Sequence, residues 1–128
     1  MLTVLIADDE PNVVELVRVT LEDERLRVVS AFDGLSALDI ADDVVPDMVL
    51  LDVNMPGLNG FDVCRRLRRD TRFQSTPIIM LTAAAQKEDV AAGLAAGADH
   101  YLTKPFSPVR LLSLVERVLP TAVLWLSD

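Results

Sequence analysis

The chain has 128 residues, of which 51% are hydrophobic and 25% are charged. This length suits one domain rather than two, and so apolar a composition excludes a disordered chain. With 12 basic and 20 acidic residues the formal charge is −8, which argues against direct nucleic-acid binding by this domain. A single cysteine, Cys64, excludes an intrachain disulfide, and no apolar run approaches the roughly 18 residues of a membrane span. We therefore expect a soluble cytoplasmic protein that does not associate with membranes.

The first part of the chain predicts two strands, each followed by a helix. The apolar run Leu2–Ala7 is typical of a buried strand. Pro11 then suits the first turn of a helix, where its missing N–H needs no partner, and apolar residues recur at helical spacing over residues 13–21. A second strand is predicted at Leu26–Ala31, and a second helix follows Gly34.

The rest of the chain continues this alternation. Apolar runs predict three more strands, at residues 48–51, 77–81 and 100–102. Helices are predicted at residues 61–69, in the alanine-rich segment that closes at Gly97, and in the last segment before Pro120. The first, third and fourth runs are nearly all apolar, which is typical of parallel strands buried on both faces. Five such units with right-handed crossovers predict a doubly wound α/β fold.

Polar residues follow the predicted strands at the edge where such folds bind ligands. They are Asp8 and Asp9 after the first strand, Asp52 after the third, Thr82 after the fourth and Lys104 after the fifth. Crowded carboxylates repel each other unless a cation joins them, and Mg²⁺ prefers oxygen ligands of this kind. A hydroxyl and an ammonium aimed at the same point would bind phosphoryl oxygens. The pattern indicates a Mg²⁺-dependent phosphoryl site with a carboxylate as candidate nucleophile.

Each of these residues alone has an ordinary structural explanation. The acidic residues before Pro11 and the hydroxyl of Thr82 could cap helices, and Asp52 and Lys104 could be loop and surface residues. The coincidence of all of them at successive strand ends favours the phosphoryl site.

Four motifs at these strand ends resemble those of a known family. They are residues 6–10 (IADDE), residues 50–57 (LLDVNMPG) with Gly60, residues 79–83 (IMLTA), and residues 97–99 (GAD) followed by residues 104–106 (KPF). In this order the chain resembles the receiver domain of two-component response regulators over about residues 2–119. The resemblance implies a receiver domain at residues 1–119, with residues 120–128 as a C-terminal tail or the start of a linker to an output domain. It also implies a flavodoxin-like three-layer sandwich, with five helices and a five-stranded parallel sheet in the order 2-1-3-4-5.

The resemblance assigns roles to the acidic residues. Asp52 matches the phosphoacceptor, which takes a phosphoryl group from a phosphohistidine to give an aspartyl phosphate. Asp8 and Asp9 match the acidic pair that holds Mg²⁺, for which Mn²⁺ is an alternative. Asp52 itself and the backbone carbonyl of Asn54 would complete the metal site.

Other positions match the residues that respond to phosphorylation. Thr82 and Lys104 match the two side chains that contact the phosphoryl oxygens, and the Lys104–Pro105 bond is expected to be cis. Thr82 would move towards the phosphoryl group, and the ring of Tyr101 would fill the vacated space from an outward position. This change would reach the surface formed by the fourth helix, fifth strand and fifth helix.

The implied function is a phosphorylation-activated signalling switch rather than an enzyme, with only self-phosphorylation and self-dephosphorylation expected. Its partners would be a sensor histidine kinase or phosphotransfer protein and a downstream output domain or target protein. We expect a monomer or a phosphorylation-dependent homodimer.

Two other functions are weighed against this one. Haloacid-dehalogenase-type phosphohydrolases also use an aspartyl nucleophile and Mg²⁺, but they carry Asp-x-Asp where Asp52 is followed by Val53 and Asn54. A flavin-binding module of the same topology would need a Ser/Thr/Gly-rich phosphate loop after the first strand. The acidic residues at that point would instead repel a phosphate.

Two surfaces need separate interpretation: the expected dimerisation surface and a run of arginines. In the winged-helix transcription-factor branch a network of opposite charges joins receiver dimers. The positions aligned with it here include Val90, Ala95, His100 and Leu114, with Arg110 where an acid is usual, so we expect this charged dimer to be absent. The arginines at 65, 66, 68, 69 and 72 are interpreted as a solvated helix face.

Overall fold

The structure is a computed structural model that describes residues 1–83 and 87–119. The predicted tail at residues 120–128 lies outside the described residues. Five strands alternate with five helices. The strands are β1 (Leu2–Ala7), β2 (Leu26–Ala31), β3 (Met48–Asp52), β4 (Ile78–Thr82) and β5 (His100–Thr103). The helices are α1 (Pro11–Leu21), α2 (Gly34–Val44), α3 (Gly60–Arg68), α4 (Lys87–Ala96) and α5 (Pro108–Val118), with a short 3-10 helix at Thr71–Phe73.

All five strands are parallel and lie in the order β2-β1-β3-β4-β5, which confirms the predicted sheet. Several predicted boundaries were wrong by one residue: β3, β4 and β5 each end one residue later than predicted, and α3 spans Gly60–Arg68 rather than residues 61–69. In addition, β4 begins at Ile78 and not at Pro77. Proline has no N–H to donate to a ladder, although its carbonyl accepts a 2.9 Å hydrogen bond from the N–H of Val49. Since β1 and β3 are neighbours, their carboxyl ends lie side by side at one edge of the sheet.

Helices cover both faces of the sheet, so the core has two halves. The first half lies between the sheet and helices α1 and α5, and the second half lies between the sheet and helices α2, α3 and α4. Alternate residues of a strand point to opposite faces. In β1, Val4 and Ile6 pack with residues of α1 and α5, whereas Leu5 and Ala7 pack with residues of α2, α3 and α4. Cys64 is fully buried in the second half, and its Sγ lies 3.4 Å from the carbonyl oxygen of Ala96. This confirms that Cys64 is a small core residue.

Helix starts are set by short polar contacts. The side chains of Asp33, Asn59 and Ser107 accept hydrogen bonds from backbone N–H groups in the first turns of α2, α3 and α5. At the start of α3 a Cβ on Gly60 would overlap the carbonyl oxygen of Asp52. Glycine at this position therefore lets α3 begin directly against the end of β3.

The arginines at positions 65–72, which extend from α3 into the 3-10 helix, do not form a uniform solvated face. Arg65 pairs with Asp62 at 2.6 Å, and Arg72 pairs with Asp42 at 2.6 Å. The side chain of Arg68 is only 18% exposed and bonds to groups outside its own helix. The solvated-face interpretation was therefore wrong for Arg68.

Across residues 1–83 and 87–119, no helix is both long enough and apolar enough to cross a membrane.

Candidate functional site

Four acidic side chains converge where β1 and β3 end. Asp8 follows β1 and is fully buried, and Asp52 is the last residue of β3 and is 4% exposed. Asp9 and Glu10, which come next along the chain, are exposed. One carboxylate oxygen from each of the four lies within 4.8 Å of the others. The sheet order thus brings together residues that are distant in sequence, and Glu10 joins the three predicted aspartates.

The carboxylate of Asp8 is a suitable ligand for a hard cation. Its Oδ1 accepts a 2.9 Å hydrogen bond from the N–H of Glu10. Its buried Oδ2 accepts no hydrogen bond of good geometry from the residues that the structure describes, although the Lys104 Nζ lies 2.8 Å away. A buried carboxylate beside three more carboxylates fits the oxygen-rich donor set that Mg²⁺ takes.

Lys104 reaches the same cluster from the end of β5. Its Nζ lies 2.8 Å from Asp8 Oδ2, 2.9 Å from Glu10 Oε1 and 3.4 Å from Asp52 Oδ1. Its backbone N–H donates a 2.6 Å hydrogen bond to the carbonyl of Thr82, and the peptide bond to Pro105 is cis. Burial lowers the pKa of the Lys104 ammonium, but the contacts with Asp8 and Glu10 outweigh burial and the pKa is raised. Lys104 is therefore a fixed positive charge in this site.

The carboxyl of Asp52 differs from that of an ordinary aspartate. Burial and the nearby charge of Asp8 raise its pKa to about 6, although Lys104 and a hydrogen bond from the N–H of Asn54 act in the opposite direction. That hydrogen bond to Asp52 Oδ1 is 3.3 Å long. Asn54 itself is exposed at the start of the loop after β3. A buried carboxylate with a raised pKa beside a lysine is typical of functional sites.

Thr82 ends β4, the neighbour of β3, and is 3% exposed. Tyr101 lies on β5, one strand further along, and is half-buried against the second half of the core. Its hydroxyl donates a 3.0 Å hydrogen bond to the carbonyl of Val90 on α4. A Cβ on Gly93 would overlap this hydroxyl, so the absence of a side chain at residue 93 makes room for the tyrosine. Tyr101 thus links the sheet directly to α4.

A groove of about 450 Å³ borders the acidic cluster between the start of α1 and the Lys104–Pro105 peptide. Val13, Leu16 and Phe106 form its apolar part, while Glu10 and Lys104 lie on the side of the cluster. The groove therefore offers an apolar contact surface next to the carboxylates.

The surface of α4, β5 and α5 exposes some, but not all, of the residues that were aligned with the charged dimer surface. Ala95, His100 and Arg110 are exposed, and Val90 is half-buried. Leu114 is only 6% exposed and belongs to the core, although it also lines a cavity of this surface together with Tyr101 and Arg110. Among the described residues of this region, the large apolar side chains that are exposed are those of Leu94 (56%) and Val109 (73%).

Sequence reasoning missed the contact between Glu10 and Lys104. Glu10 was interpreted only as part of an acidic stretch at a helix start. Its side chain accepts no hydrogen bond from α1 and instead contacts a residue 94 positions away. The one available signal was that three acidic residues stand in a row before Pro11.

Residues 4–116 match the response regulator receiver domain. The chain belongs to this family. Receiver domains are signalling switches of two-component systems, and the family binds Mg²⁺ at an acidic pocket such as the one formed here at the ends of β1 and β3. This membership sets aside the phosphohydrolase and flavin-binding alternatives.

Relatives of this receiver domain include longer proteins. The DNA-binding dual master transcriptional regulator RpaA of Synechocystis is 42% identical over 116 residues, which cover 91% of this chain and 48% of RpaA. The DNA-binding response regulator MtrA of Mycolicibacterium smegmatis is 43% identical over 112 residues, which cover 88% of this chain and 48% of MtrA. This receiver domain therefore spans about half the length of these curated relatives.

A solved structure of similar size has the same fold. The chemotaxis protein CheY4 of Vibrio cholerae has 39% sequence identity and a TM-score of 0.88. The alignment covers 93% of this receiver domain and 99% of the CheY4 chain. The two chains thus share the fold along nearly their whole length.

Proposed function

We propose that this receiver domain is a phosphorylation-activated switch in which Asp52 accepts a phosphoryl group in a Mg²⁺-dependent reaction. The observation that carries the proposal is the meeting of three aspartates and one lysine at the ends of β1, β3 and β5. Asp52 lies 3.4 Å from the Lys104 ammonium, and one oxygen of each acidic residue lies within 4.8 Å of the others.

The donor in this proposal is a phosphohistidine on a sensor histidine kinase or a phosphotransfer protein. An Asp52 carboxylate oxygen attacks the phosphorus, so an O–P bond forms while the P–N bond to the imidazole breaks. The electron pair of the broken bond stays on the imidazole nitrogen, which takes a proton from solvent. Loss of the signal follows when water attacks the phosphorus, which releases inorganic phosphate and restores the carboxylate.

Lys104 and Thr82 have different tasks in this step. The Lys104 ammonium, already 3.4 Å from Asp52 Oδ1, binds a phosphoryl oxygen as negative charge develops there. The Thr82 hydroxyl, at the end of the strand next to β3, donates to another phosphoryl oxygen.

Asp8, Asp9, Asp52 and the backbone carbonyl of Asn54 are the groups that would hold the cation. When bound, Mg²⁺ neutralises part of the negative charge of the carboxylates and of the incoming phosphoryl group. The carboxylate cluster supports this assignment, because one oxygen each from Asp8, Asp9, Glu10 and Asp52 lies within 4.8 Å of the others.

The groove of about 450 Å³ beside the cluster is the approach route that we assign to the donor protein. Its apolar residues Val13, Leu16 and Phe106 offer a docking surface within reach of Lys104. A helix of the partner that carries the phosphohistidine would cover the half-buried side chains of Val13 and Leu16, beneath which Phe106 belongs to the core.

The output of the switch is a change in the surface of α4, β5 and α5. Movement of Thr82 towards the phosphoryl group frees space next to β5, and Tyr101 responds because its ring lies between the core and α4. The receiver domain would comprise residues 1–119, and residues 120–128 would lead towards an output domain. Because RpaA and MtrA are DNA-binding proteins of about twice this length, a DNA-binding output domain is the form that we infer for a longer chain.

The decisive test is intact-mass measurement after incubation with acetyl phosphate and Mg²⁺. We expect a single phosphoryl adduct on the wild-type protein and none on Asp52→Asn or in the presence of EDTA. An adduct that persists on Asp52→Asn would assign the acceptor role to another residue. A folded wild-type protein without any adduct, even with a histidine phosphodonor, would refute the proposal.

A further inference from the structure

Glu10 occupies an unusual position at the start of α1. It is the residue before Pro11, and its carbonyl accepts hydrogen bonds from the N–H groups of Val13 and Val14. Its N–H donates to Asp8 Oδ1, so the backbone is held from both sides. The short side chains of serine, threonine, aspartate and asparagine commonly accept a hydrogen bond from the first turn of the helix at such a position. The carboxylate of Glu10 instead turns to the Lys104 ammonium at 2.9 Å.

Lys104 is shared among three carboxylates. Two contacts are short, at 2.8 Å to Asp8 and 2.9 Å to Glu10, whereas Asp52 is 3.4 Å away. Asp8 and Asp52 are buried and belong to the groups assigned to the metal, while the Glu10 side chain is 60% exposed. Among these described partners of Lys104, Glu10 is therefore the one that a bound cation leaves available.

We propose that Glu10 is a positioning residue that holds the Lys104 ammonium until a phosphoryl group arrives on Asp52. This inference rests on the proposed function. A phosphoryl oxygen and the Glu10 carboxylate compete for the same ammonium, because a lysine has one compact charge to offer. Glu10 thereby weakens the binding of a phosphoryl group at Asp52 and keeps Lys104 oriented in the resting state.

The test uses beryllofluoride, a phosphoryl mimic, titrated calorimetrically into the 128-residue protein in the presence of Mg²⁺. Glu10→Gln keeps the length of the side chain and removes its charge. We expect this variant to bind beryllofluoride about threefold to fivefold more tightly, the range supported by a partly exposed ion pair. Glu15→Gln removes an equal charge from an exposed position of α1 and should leave the affinity unchanged.

A double-mutant cycle separates positioning from simple charge repulsion. If Glu10 acts through Lys104, the gain from Glu10→Gln disappears when it is introduced into a Lys104→Met protein. A gain that persists undiminished in that background would mean direct repulsion of the anion and would overturn the inference. An unchanged affinity of Glu10→Gln would overturn it as well.

Titration with Mg²⁺ alone supplies the remaining readout. We expect Glu10→Gln and wild-type protein to bind Mg²⁺ with equal affinity, because Glu10 acts on Lys104 and not on the metal. A tenfold loss of Mg²⁺ affinity would make Glu10 a metal ligand and overturn the inference. If the wild-type protein itself failed to bind beryllofluoride, both the proposed function and this inference would be refuted. In the other outcomes the wild-type protein binds beryllofluoride, so they refute only the role of Glu10.

Discussion

Arg68 and Asp99 form an ion pair in which Nη2 lies 2.8 Å from Oδ2, and this pair ties the end of α3 to the turn between α4 and β5. The same carboxylate oxygen accepts a 2.9 Å hydrogen bond from the N–H of Ile78 at the start of β4. The Arg68 guanidinium also donates to the carbonyls of Gly97 at 2.9 Å and Phe73 at 2.6 Å. One side chain thus fastens two connections, the one from α3 to β4 and the one from α4 to β5, at the edge of the sheet opposite the acidic cluster.

We predict that Arg68→Met lowers the free energy of unfolding by about 2–4 kcal/mol, because several partly buried acceptors lose a charged donor together. Urea denaturation monitored by circular dichroism measures this change. Arg69→Met is the matched control, since Arg69 is the exposed residue directly after α3 and its loss should cost less than about 0.5 kcal/mol. Equal stabilities of the two variants would contradict the role of Arg68.

We predict that substitutions of Gly93 and Tyr101 have non-additive effects on the free energy of unfolding. Gly93→Ala would place a methyl group on the tyrosine hydroxyl, break its hydrogen bond to Val90 and cost about 1–3 kcal/mol of stability. In a Tyr101→Ala protein the same substitution should instead stabilise by up to about 1 kcal/mol, because alanine is the better helix former. Thermal or urea denaturation of the four proteins measures the sign, and the same sign in both backgrounds would refute the coupling.

The raised pKa of Asp52 predicts a pH-dependent stability. Folding raises this pKa from 3.8 to about 6, so the folded state binds more protons than the unfolded state within this window. The free energy of unfolding therefore falls as the pH rises from 4 to 6. At pH 7 and without a divalent cation, the ionised Asp52 carboxylate lowers the free energy of unfolding by about 1–3 kcal/mol.

Asp52→Asn should recover this free energy at pH 7 in EDTA, and the gain should shrink as the pH approaches 4. Urea denaturation at several pH values tests this expectation, with Asp43→Asn as the control at an exposed position. A gain that is independent of pH would show that the charge of Asp52 is not its source.

The lifetime of the aspartyl phosphate follows from access to the site. Ala83, the residue after Thr82, is small and exposed, so water reaches the phosphoryl group. Ala84, the next small residue in the sequence, lies outside the described residues. We predict that the phosphoryl group is lost within minutes to hours, as followed by intact mass after removal of the donor. Persistence for days would contradict this prediction.

The oligomeric state is predicted from the surface of α4, β5 and α5. His100 and Arg110 are exposed there beside the apolar side chains of Leu94 and Val109, a composition that does not support a charged dimer. Sedimentation with Mg²⁺ and beryllofluoride should show either a monomer or a dimer that survives about 0.5 M salt, since salt screens exposed ion pairs. A dimer that dissociates in salt would contradict the prediction.

Much of the fold was predictable because its signals are local. The apolar runs identify the five strands, and Pro11 and Gly97 mark helix ends through backbone chemistry that involves only near neighbours. The order of the strands came from the family resemblance, and the sheet confirms it. Pro77 was placed inside a strand because apolar composition alone does not register a missing N–H.

The sequence by itself determined which residues end the strands, and so which side chains stand at the ligand-binding edge of a parallel sheet. Tertiary structure decided what those side chains contact. The pairing of Glu10 with Lys104 spans 94 positions, and the raised pKa of Asp52 depends on burial and on Asp8 in a neighbouring strand. Arg68 belongs to the same class, because its acceptors come from two separate connections, between α3 and β4 and between α4 and β5. Periodicity and capping act within a few residues of the chain, whereas these contacts exist only once the sheet and its helices have packed.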